Sequence, residues 1–384
     1  MDFKLTEEQE LLIESVDEWV DRNITEPDIQ KWYAEHGVSD EVAKSFYDAG
    51  FGMLGLPEEV GGTPADVLTR VLFTEELTRK TSAIMPFLAN ILTMYDVAEL
   101  GTPEQIDLAM KIYADTGKSC IALAISEPEA GSDNANMSTT TTEKDGKFYL
   151  NGTKTFVTEG QVAPYMLVVA KDEDPSRENK NMSMWLIPSD SPGISKSGFA
   201  KIGQTIQSFC EVYFDNVEMD ETNLFGKRHV GFMELMANFE VERLLLAASS
   251  LGLAQAALED AAKFANQRVT FGKPICKYQL IQEKLTDMEI KCQNIRNMLY
   301  KCAWEIDNGI SVRLDSALLK RYSSIAAHEV CSDAMQIFGG IGYTSETRVS
   351  RAFIDSRGNQ FAGGTTEIMV HIAGRQVVKK YLDK

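Results

Sequence analysis

The sequence has few of the residues that build disulfide scaffolds, metal sites or nucleic-acid surfaces. It holds six cysteines, four histidines and only 38 Lys and Arg residues against 57 Asp and Glu residues, for a net charge of −19. This acidic balance argues against binding to nucleic acid or to an anionic membrane, since both need a cationic face. The histidines lack metal-ligand spacing and no Cys-x-x-Cys pair occurs, so no metal is expected. The simplest interpretation is a cytoplasmic protein with reduced thiols.

The chain also lacks a run of apolar residues at its amino terminus, which is polar and acidic. Neither a signal peptide nor a membrane insertion is expected from it. The overall composition, 44% hydrophobic and 25% charged, is that of a globular protein. A chain of 384 residues exceeds what one hydrophobic core holds, so two or three domains are expected.

The period of the apolar residues changes twice along the chain. Residues 1–118 follow a helical pattern, residues 119–229 follow a strand pattern, and residues 230–384 return to the helical pattern. This order predicts an α+β multidomain fold with an N-terminal helical domain, a middle antiparallel β domain and a C-terminal helical bundle. It argues against an alternating Rossmann arrangement.

The β region contains two dipeptides that favour tight hairpin turns. Asp145-Gly146 and Asn151-Gly152 lie between short segments of strand character, and such pairs are common where a turn needs positive φ. They predict a meander with turns at both places. Further strands are predicted at Tyr165–Ala170, Met182–Ile187 and Glu211–Phe214.

One helical stretch, Phe232–Ala254, carries a carboxylate where a core residue is expected. Its apolar residues recur at heptad spacing, and the position that should continue the stripe holds Glu242, followed by Arg243. A carboxylate on a buried stripe is costly unless it is paired or used in chemistry. The alternatives are a structural Glu–Arg ion pair, a helix face assigned wrongly, or a functional carboxylate.

Five segments, in order, resemble the motifs of the acyl-CoA dehydrogenase family. They are Ile125–Asp133 (ISEPEAGSD), Asn151–Thr158 (NGTKTFVT), Asn266–Gly272 (NQRVTFG), Met335–Gly342 (MQIFGGIG) and Gly363–Ile368 (GGTTEI). The resemblance covers the whole chain and is closer still to the crotonobetainyl-CoA reductase-like members, through the segments at 265–272 and 278–284. It implies an FAD enzyme that removes or adds an α-proton and a β-hydride on an acyl thioester.

The resemblance implies a set of FAD contacts. Thr158 would lie near flavin N5, and Phe156, where many relatives have Trp, would cover a flavin face. Arg268 would meet the pyrophosphate of FAD in a neighbouring subunit, so a homotetramer is expected. The full implied set is Ile125, Ser126, Phe156, Thr158, Arg268, Phe271, Gln336, Gly340, Thr365 and Glu367.

The resemblance also implies where the catalytic base lies. Most members carry a Glu directly before the Gly-Thr of the last motif, and here that position is Gly363. A subset carries the base on the long C-terminal helix directly before an Arg, which Glu242-Arg243 matches. Glu240 and Glu367 are the rival carboxylates. Implied contacts to substrate or CoA are Ser132, Glu240, Arg243 and Gly363.

The expected function is therefore interconversion of an acyl-CoA and its 2,3-enoyl-CoA, with electrons exchanged with electron-transferring flavoprotein. Two alternatives remain open. One is a flavoprotein of the same fold with other chemistry, an oxidase or a desulfinase. The other is a catalytically silent assembly partner.

Overall fold

The computed structural model describes residues 4–173 and 181–382. Its first part is helical, as predicted. The helices are α1 (Glu7–Asn23), α2 (Glu26–Glu35), α3 (Asp40–Asp48), α4 (Val67–Thr81), α5 (Pro86–Leu100) and α6 (Pro103–Thr116). Thr6 caps α1: its hydroxyl accepts the Gln9 N–H while the Gln9 side chain bonds the Thr6 N–H, which satisfies two backbone donors that the first turn leaves open.

An eight-stranded sheet follows the first helices. The strands are β1 (Ile121–Ala124), β2 (Thr140–Lys144), β3 (Lys147–Thr158), β4 (Tyr165–Asp172), β5 (Met182–Pro188), β6 (Ile194–Phe199), β7 (Phe209–Met219) and β8 (Leu224–Phe225). Their order is β6-β7-β3-β2-β4-β5-β8, with β1 beside β4. Most pairs are antiparallel, whereas β1 and β2 each run parallel to β4. The inner face of the sheet packs around the buried Trp185.

One of the two predicted hairpin turns is confirmed and the other is wrong. Asp145 and Gly146 both have positive φ and join β2 to β3. Asn151 and Gly152 do not form a turn, because β3 continues through them with a bulge between Leu150 and Gly152. Gly152 has φ +143°, and a Cβ there would meet the backbone of Thr139 at 2.6 Å. Gly152 therefore permits both the bulge in β3 and the close approach of Thr139.

The last part of the chain is again helical. Its elements are α7 (Gly231–Ala237), α8 (Phe239–Gln267), β9 (Val269–Thr270), β10 (Lys273–Pro274), α9 (Gln279–Asp307), α10 (Arg313–Phe338), α11 (Arg348–Gly358) and α12 (Thr366–Leu382). The short strands β9 and β10 form a hairpin. The largest hydrophobic cluster lies here, around α8, α9 and α10.

The helix predicted over Phe232–Ala254 is two helices in the structure. Asn238 separates α7 from α8, and its N–H bonds the carbonyls of Leu235 and Met236 instead of continuing the helical ladder. Its side-chain amide donates to Asp96 and Glu99 on α5. These long-range bonds explain why the break could not be inferred from apolar spacing. As a result, Glu242 lies in the first turn of α8.

Helix α8 is long and apolar enough to cross a membrane by length and composition. However, 67% of its most apolar window is buried inside the protein. Its buried residues include Leu244, Ala248, Leu251 and Ala254, which belong to the largest hydrophobic cluster. Helix α8 is therefore a core helix.

Candidate active site

Glu242 lies on a large cavity between the first helices, the sheet and α8. The cavity has a volume of about 1180 Å³, and its lining includes Thr158 from β3, Asp96 from α5, Leu246 from α8 and Ala362. A cavity of this size is large enough to hold a small molecule or a cofactor. It brings together the predicted base and the predicted flavin-contacting threonine.

The Glu242 carboxylate has no hydrogen bond or ion pair to any residue that the structure describes. Burial raises the pKa of Glu242 to about 7, the Asp96 carboxylate adds to the rise, and the Arg243 and Lys320 cations oppose it. The N-terminal turn of a helix favours the ionised form of a carboxylate, but here desolvation outweighs that effect. An unpaired carboxyl with a pKa near neutrality is suited to accept or donate a proton.

The alternative of a structural Glu242–Arg243 ion pair does not agree with these contacts. The two side chains are not within ion-pair distance of each other, although their charges interact at longer range. Burial lowers the pKa of Arg243, and its Nε is buried without a partner among the described residues. A buried guanidinium that keeps an open donor has room for a ligand acceptor.

Gly363 faces the same point of the cavity as Glu242. It has φ +59°, a conformation that favours glycine. A Cβ placed on Gly363 would lie 3.7 Å from Oε1 of Glu242 and would overlap Cδ1 of Leu246. A side chain at this position would therefore clash with Leu246 and come into contact with Glu242.

Lys320 is a charged residue of this region that the sequence analysis missed. Its side chain is only 1% exposed, and its ammonium donates to the carbonyls of Gly364 and Gln360. The sequence does contain a signal for it, the same one that singled out Glu242: a charged residue on a heptad stripe of small and apolar residues. In α10 that stripe is Ala317, Lys320, Ser324, Ala327, Cys331 and Ala334, all buried.

Asp96 was missed as well, because nothing in the pattern of α5 distinguishes it. It lines the cavity, and it accepts a hydrogen bond of 2.8 Å from the Asn238 amide. Burial raises the pKa of Asp96 to about 6, against the lowering effect of the Asn238 hydrogen bond. Of the carboxyl groups that line the cavity, Asp96 is the one whose charge disfavours ionisation of Glu242.

Strand β3 presents two of the predicted cofactor residues at its end. Thr158 lines the cavity and pairs with Phe209 of β7. Phe156 precedes it next to a register shift, has φ +56°, and leaves 60% of its side chain exposed. Its ring lies 5.6 Å from that of Phe199. An exposed aromatic ring held in a left-handed conformation costs free energy that a bound planar group can offset.

Ile125 and Ser126 follow β1 and are both half-buried. The carbonyl of Ile125 accepts from the Lys154 ammonium at 2.8 Å, and the carbonyl of Ser126 accepts from the Thr155 N–H. Lys154 is fully buried and also pairs with Glu127 at 2.9 Å. These bonds fix the segment after β1 against β3, so that Ser126 and Thr158 have a defined relative position.

The residues around Thr158 fit a flavin with an aromatic body and a polar edge. Lys201 provides an independent observation: its ammonium is 4.0 Å from the centre of the Phe209 ring, and its Nζ is buried without a hydrogen-bond partner among the described residues. Burial lowers the pKa of Lys201 to about 8. An orphaned donor beside exposed aromatic rings is a feature that a bound acceptor group would satisfy.

The other predicted site residues lie outside the cavity lining. Ser132 is exposed in the loop after β1, and Glu240 is half-buried one turn before Arg243 on α8. Phe271, at the tip of the β9–β10 hairpin, is 98% exposed. The remaining residues are at the surface or half-buried on the C-terminal helices: Arg268, Gln336, Gly340, Thr365 and Glu367. None of these residues lines the cavity on which Glu242 lies.

The six cysteines are free thiols, and only Cys276 is not buried. Over residues 4–173 and 181–382, no group of three or more His, Cys, Asp or Glu side chains is arranged to hold a metal ion. Burial raises the pKa of Cys120, which lines the cavity, to about 11. Glu242 is thus better suited than this thiol to proton transfer at neutral pH.

A helix–sheet–helix fold with a buried, unpaired carboxyl on a cofactor-sized cavity is the arrangement expected of a flavin-type dehydrogenase. Three family models match the chain: the acyl-CoA dehydrogenase N-terminal domain over residues 6–111, the middle domain over 122–217 and the C-terminal domain over 229–378. The chain belongs to the acyl-CoA dehydrogenase family. It is an oxidoreductase that acts on CH–CH bonds.

Individual relatives agree with this assignment. The chain is 45% identical to the probable acyl-CoA dehydrogenase YdiO of Escherichia coli over 100% of both chains. It is 38% identical to an acyl-CoA dehydrogenase of Slackia heliotrinireducens, with a TM-score of 0.89 and 100% of both chains covered. It is 29% identical to butyryl-CoA dehydrogenase of Megasphaera elsdenii, with a TM-score of 0.89 over 98% of this chain and 100% of that one.

Proposed function

We propose that this enzyme interconverts a short or substituted acyl-CoA and its 2,3-enoyl-CoA, with Glu242 as the acid/base. The observation that carries the proposal is the unpaired Glu242 carboxyl on the cavity, whose pKa burial raises to about 7. No other described carboxyl combines burial, a free position on the cavity and the space left by Gly363. Of the rivals, Glu367 is fully exposed and bonds Thr366, and Glu240 does not line the cavity.

Glu242 takes the α-proton in the dehydrogenating direction and returns it in the reducing direction. The proton passes between Cα of the thioester and a carboxylate oxygen of Glu242. Removing the carboxylate from water makes it a stronger base, because poor solvation destabilises the charged form and raises the pKa. The N–H of Gly363 would polarise the thioester carbonyl, which makes the α-proton more acidic.

FAD is the cofactor that this family typically binds. When bound, it supplies the hydride acceptor or donor for Cβ. Phe156 would cover one face of its ring system, and Thr158 would donate to or accept from its polar edge, with Ile125 and Ser126 along the same edge. Lys201 provides a further donor close to Phe209.

Three residues outside the cavity lining are the proposed contacts to the substrate and its CoA arm. Arg243 has an open buried donor that can meet an acceptor of the CoA arm, and Glu240 lies one turn earlier on the same helix. Ser132 is exposed on the loop after β1, where it can bond the same arm. These roles rest on the family resemblance together with the position of each residue.

The expected assembly is a homotetramer. Arg268, Phe271, Gln336 and Gly340 are exposed in one chain, which suits a role at the FAD of a neighbouring subunit. Thr365 and Glu367 follow the glycine turn, which would lie beside the cofactor. The proposed domains are residues 1–118, 119–229 and 230–384. Electron-transferring flavoprotein is the proposed redox partner and the cytoplasm the proposed location.

Within the family, the closer resemblance to crotonobetainyl-CoA reductase favours the reducing direction. In that direction Glu242 protonates Cα as the β-carbon receives its hydride. Glu242 in its neutral form is the species that acts, and with a pKa near 7 about half of it is neutral at neutral pH.

The test is anaerobic mixing of the yellow holoenzyme with a panel of acyl-CoAs, followed by reoxidation with the matching enoyl-CoAs. Loss and recovery of flavin absorbance with at least one pair is the expected result. Absence of bleaching with every acyl-CoA would contradict the proposal and favour a silent partner. Oxygen uptake at the rate of substrate turnover would indicate an oxidase.

A further inference from the structure

Lys320 is a buried cation without a carboxylate in contact. It lies in α10, and its ammonium hydrogen-bonds the carbonyl oxygens of Gly364 and, at 3.4 Å, of Gln360. Among the residues that the structure describes, it forms no ion pair. A buried ammonium without a counter-ion in contact costs free energy, so its presence calls for an explanation.

The two carbonyls belong to the segment 360–364, which joins α11 to α12 and carries Gly363. The segment is closed by a hydrogen bond from the Thr366 N–H to the Gln360 carbonyl at 3.1 Å. Ala362 lines the cavity, and Gly363 faces Glu242. The ammonium of Lys320 therefore holds the 360–364 segment through its backbone carbonyls, and the same segment contacts Glu242 through Gly363.

The charge of Lys320 also acts on the base directly. The charged groups that face Lys320 are Arg243 and Glu242 on α8 and Glu367 on α12. Those that face Glu242 are Asp96, Arg243 and Lys320. Asp96 and Lys320 thus act on Glu242 with opposite sign from two different elements, α5 and α10.

We infer that Lys320 is a positioning residue for the proton transfer: its ammonium anchors the 360–364 segment and stabilises the carboxylate form of Glu242. This inference rests on the proposed function. Lys320 neither gives nor takes a proton in the step, since the proton moves between Cα and Glu242. Without the cation, the carboxylate is less stable, so Glu242 stays protonated to a higher pH and requires that higher pH to act as base.

The proton step can be measured apart from the hydride step. An acyl-CoA with α-hydrogens and no β-hydrogen, 3,3-dimethylbutyryl-CoA, can exchange its α-protons but cannot be dehydrogenated. The holoenzyme is incubated with it in D₂O over a range of pH, and deuterium uptake is followed by mass spectrometry. In the wild type, uptake is expected to rise with pH through the ionisation of Glu242.

Three variants separate the charge of Lys320 from its hydrogen bonds. Lys320→Gln can still donate to a carbonyl but is neutral, and Lys320→Arg keeps the charge. Arg321→Met is the matched control, because Arg321 is the next residue on α10 and bonds the nearby Thr366 carbonyl at 2.8 Å, yet it is absent from the charges that act on Glu242.

In Lys320→Gln we expect the pH midpoint of exchange to rise by about one unit, with exchange about tenfold slower below the midpoint. Lys320→Arg should restore the midpoint, and Arg321→Met should leave it unchanged. An unchanged midpoint in Lys320→Gln, or an equal shift in Arg321→Met, would overturn the inference. If Lys320→Gln does not fold with FAD, failure of Lys320→Arg to keep the wild-type midpoint would overturn it equally.

The failure of the proposed function has a different signature. If Glu242 is not the base, Glu242→Gln exchanges α-protons like the wild type. If it is the base and Lys320 has no role, Glu242→Gln abolishes exchange while Lys320→Gln follows the wild-type curve.

Discussion

Gly363 and Glu242 lie next to each other: a Cβ atom built on Gly363 would be 3.7 Å from Oε1 of Glu242. The two residues are 121 positions apart in the sequence and lie on different elements, yet both border the same part of the cavity. A carboxyl group can reach this volume of the cavity from either position. The relationship explains why a carboxylate on α8 coincides with a glycine in the last motif.

The first prediction concerns Glu242→Gln. The amide has nearly the same size but cannot exchange a proton at neutral pH, so turnover should fall by several orders of magnitude, on the order of the 10²–10⁴-fold or more that a lost acid/base group costs. FAD content should stay at the wild-type level, as read from the ratio of flavin to protein absorbance. The control is Glu240→Gln, which removes a neighbouring carboxylate that does not line the cavity. Near-wild-type turnover of Glu242→Gln would contradict the assignment.

The second prediction concerns Gly363→Ala. The new Cβ would overlap Leu246 Cδ1 and would occupy a left-handed conformation, so the free energy of unfolding should fall by about 1–3 kcal/mol. Chemical denaturation measures this change. Leu246→Ala in the same chain removes the overlapping atom and should recover part of the loss, which a double-mutant cycle detects.

The control for Gly363→Ala is Gly374→Ala. Gly374 lies within α12, and a Cβ there would meet nothing within 4 Å. Alanine is the better helix former by about 1 kcal/mol, so this variant should be more stable than the wild type. A similar loss of stability in both variants would show that the contact with Leu246 is not the cause.

The fold and the candidate base could be predicted from the sequence because each prediction depends on a local pattern. The change of apolar period marks the three regions, and Glu242 interrupts a regular stripe. Asp145-Gly146 was interpreted correctly because a two-residue turn depends on its own φ angles. Asn151-Gly152 has the same local signal but lies in a bulge, where the close approach of Thr139 determines the conformation.

What the sequence could not provide depends on contacts between distant segments. Asn238 ends α7 through bonds to Asp96 and Glu99, about 140 residues earlier. The left-handed conformation of Phe156 arises from the register of β3 against β7, which no local preference predicts. The burial of Lys320 could have been predicted, since its stripe in α10 is as regular as that of Glu242. Its hydrogen-bond partners could not, because they are backbone carbonyls that a sequence pattern does not show.

The third prediction is the pH dependence of activity and stability. With a pKa of about 7, Glu242 should make dehydrogenation rise with pH through neutrality and enoyl-CoA reduction fall over the same range. The unfolded chain has a Glu pKa near about 4.3, so the folded state binds more protons between that value and 7. Stability from this group is therefore present at low pH and is lost as pH rises to about 7.

Glu242→Gln provides the measurement. Its unfolding free energy relative to the wild type should be unchanged near pH 4 and should increase with pH until about 7. The increase should not exceed about 3 kcal/mol, and it should be smaller because the side chain keeps access to water in the cavity. A difference that does not vary with pH would show that Glu242 has an ordinary pKa.

The fourth prediction concerns Phe156 and the cofactor. Phe156→Ala should weaken FAD binding by about tenfold to a hundredfold, because an aromatic face contributes about 1–3 kcal/mol when it stacks on a planar ring. Phe156→Trp should bind as tightly as the wild type. Flavin fluorescence during titration of the apo-protein reports the dissociation constant. Tyr213→Ala, which removes an exposed aromatic residue from β7, is the control and should leave it unchanged.

The fifth prediction concerns the buried pair of Lys154 and Glu127. The Glu127 carboxylate accepts hydrogen bonds from Ser138 and Thr139 as well as from Lys154, and although burial acts to raise it, these bonds hold the pKa of Glu127 at about 2. Lys154→Met would leave that carboxylate buried with fewer partners. The free energy of unfolding should fall by about 3–5 kcal/mol.

The same substitution on the surface separates this effect from the general loss of a lysine. Lys147 pairs with Glu218 on the same sheet, with about half of each side chain exposed, so Lys147→Met should leave the free energy of unfolding close to that of the wild type. Because Lys154 also bonds the Ile125 carbonyl, Lys154→Met should release FAD more readily, whereas Lys147→Met should not. Equal losses of stability and of FAD in the two variants would show that the segment after β1 does not depend on the buried pair.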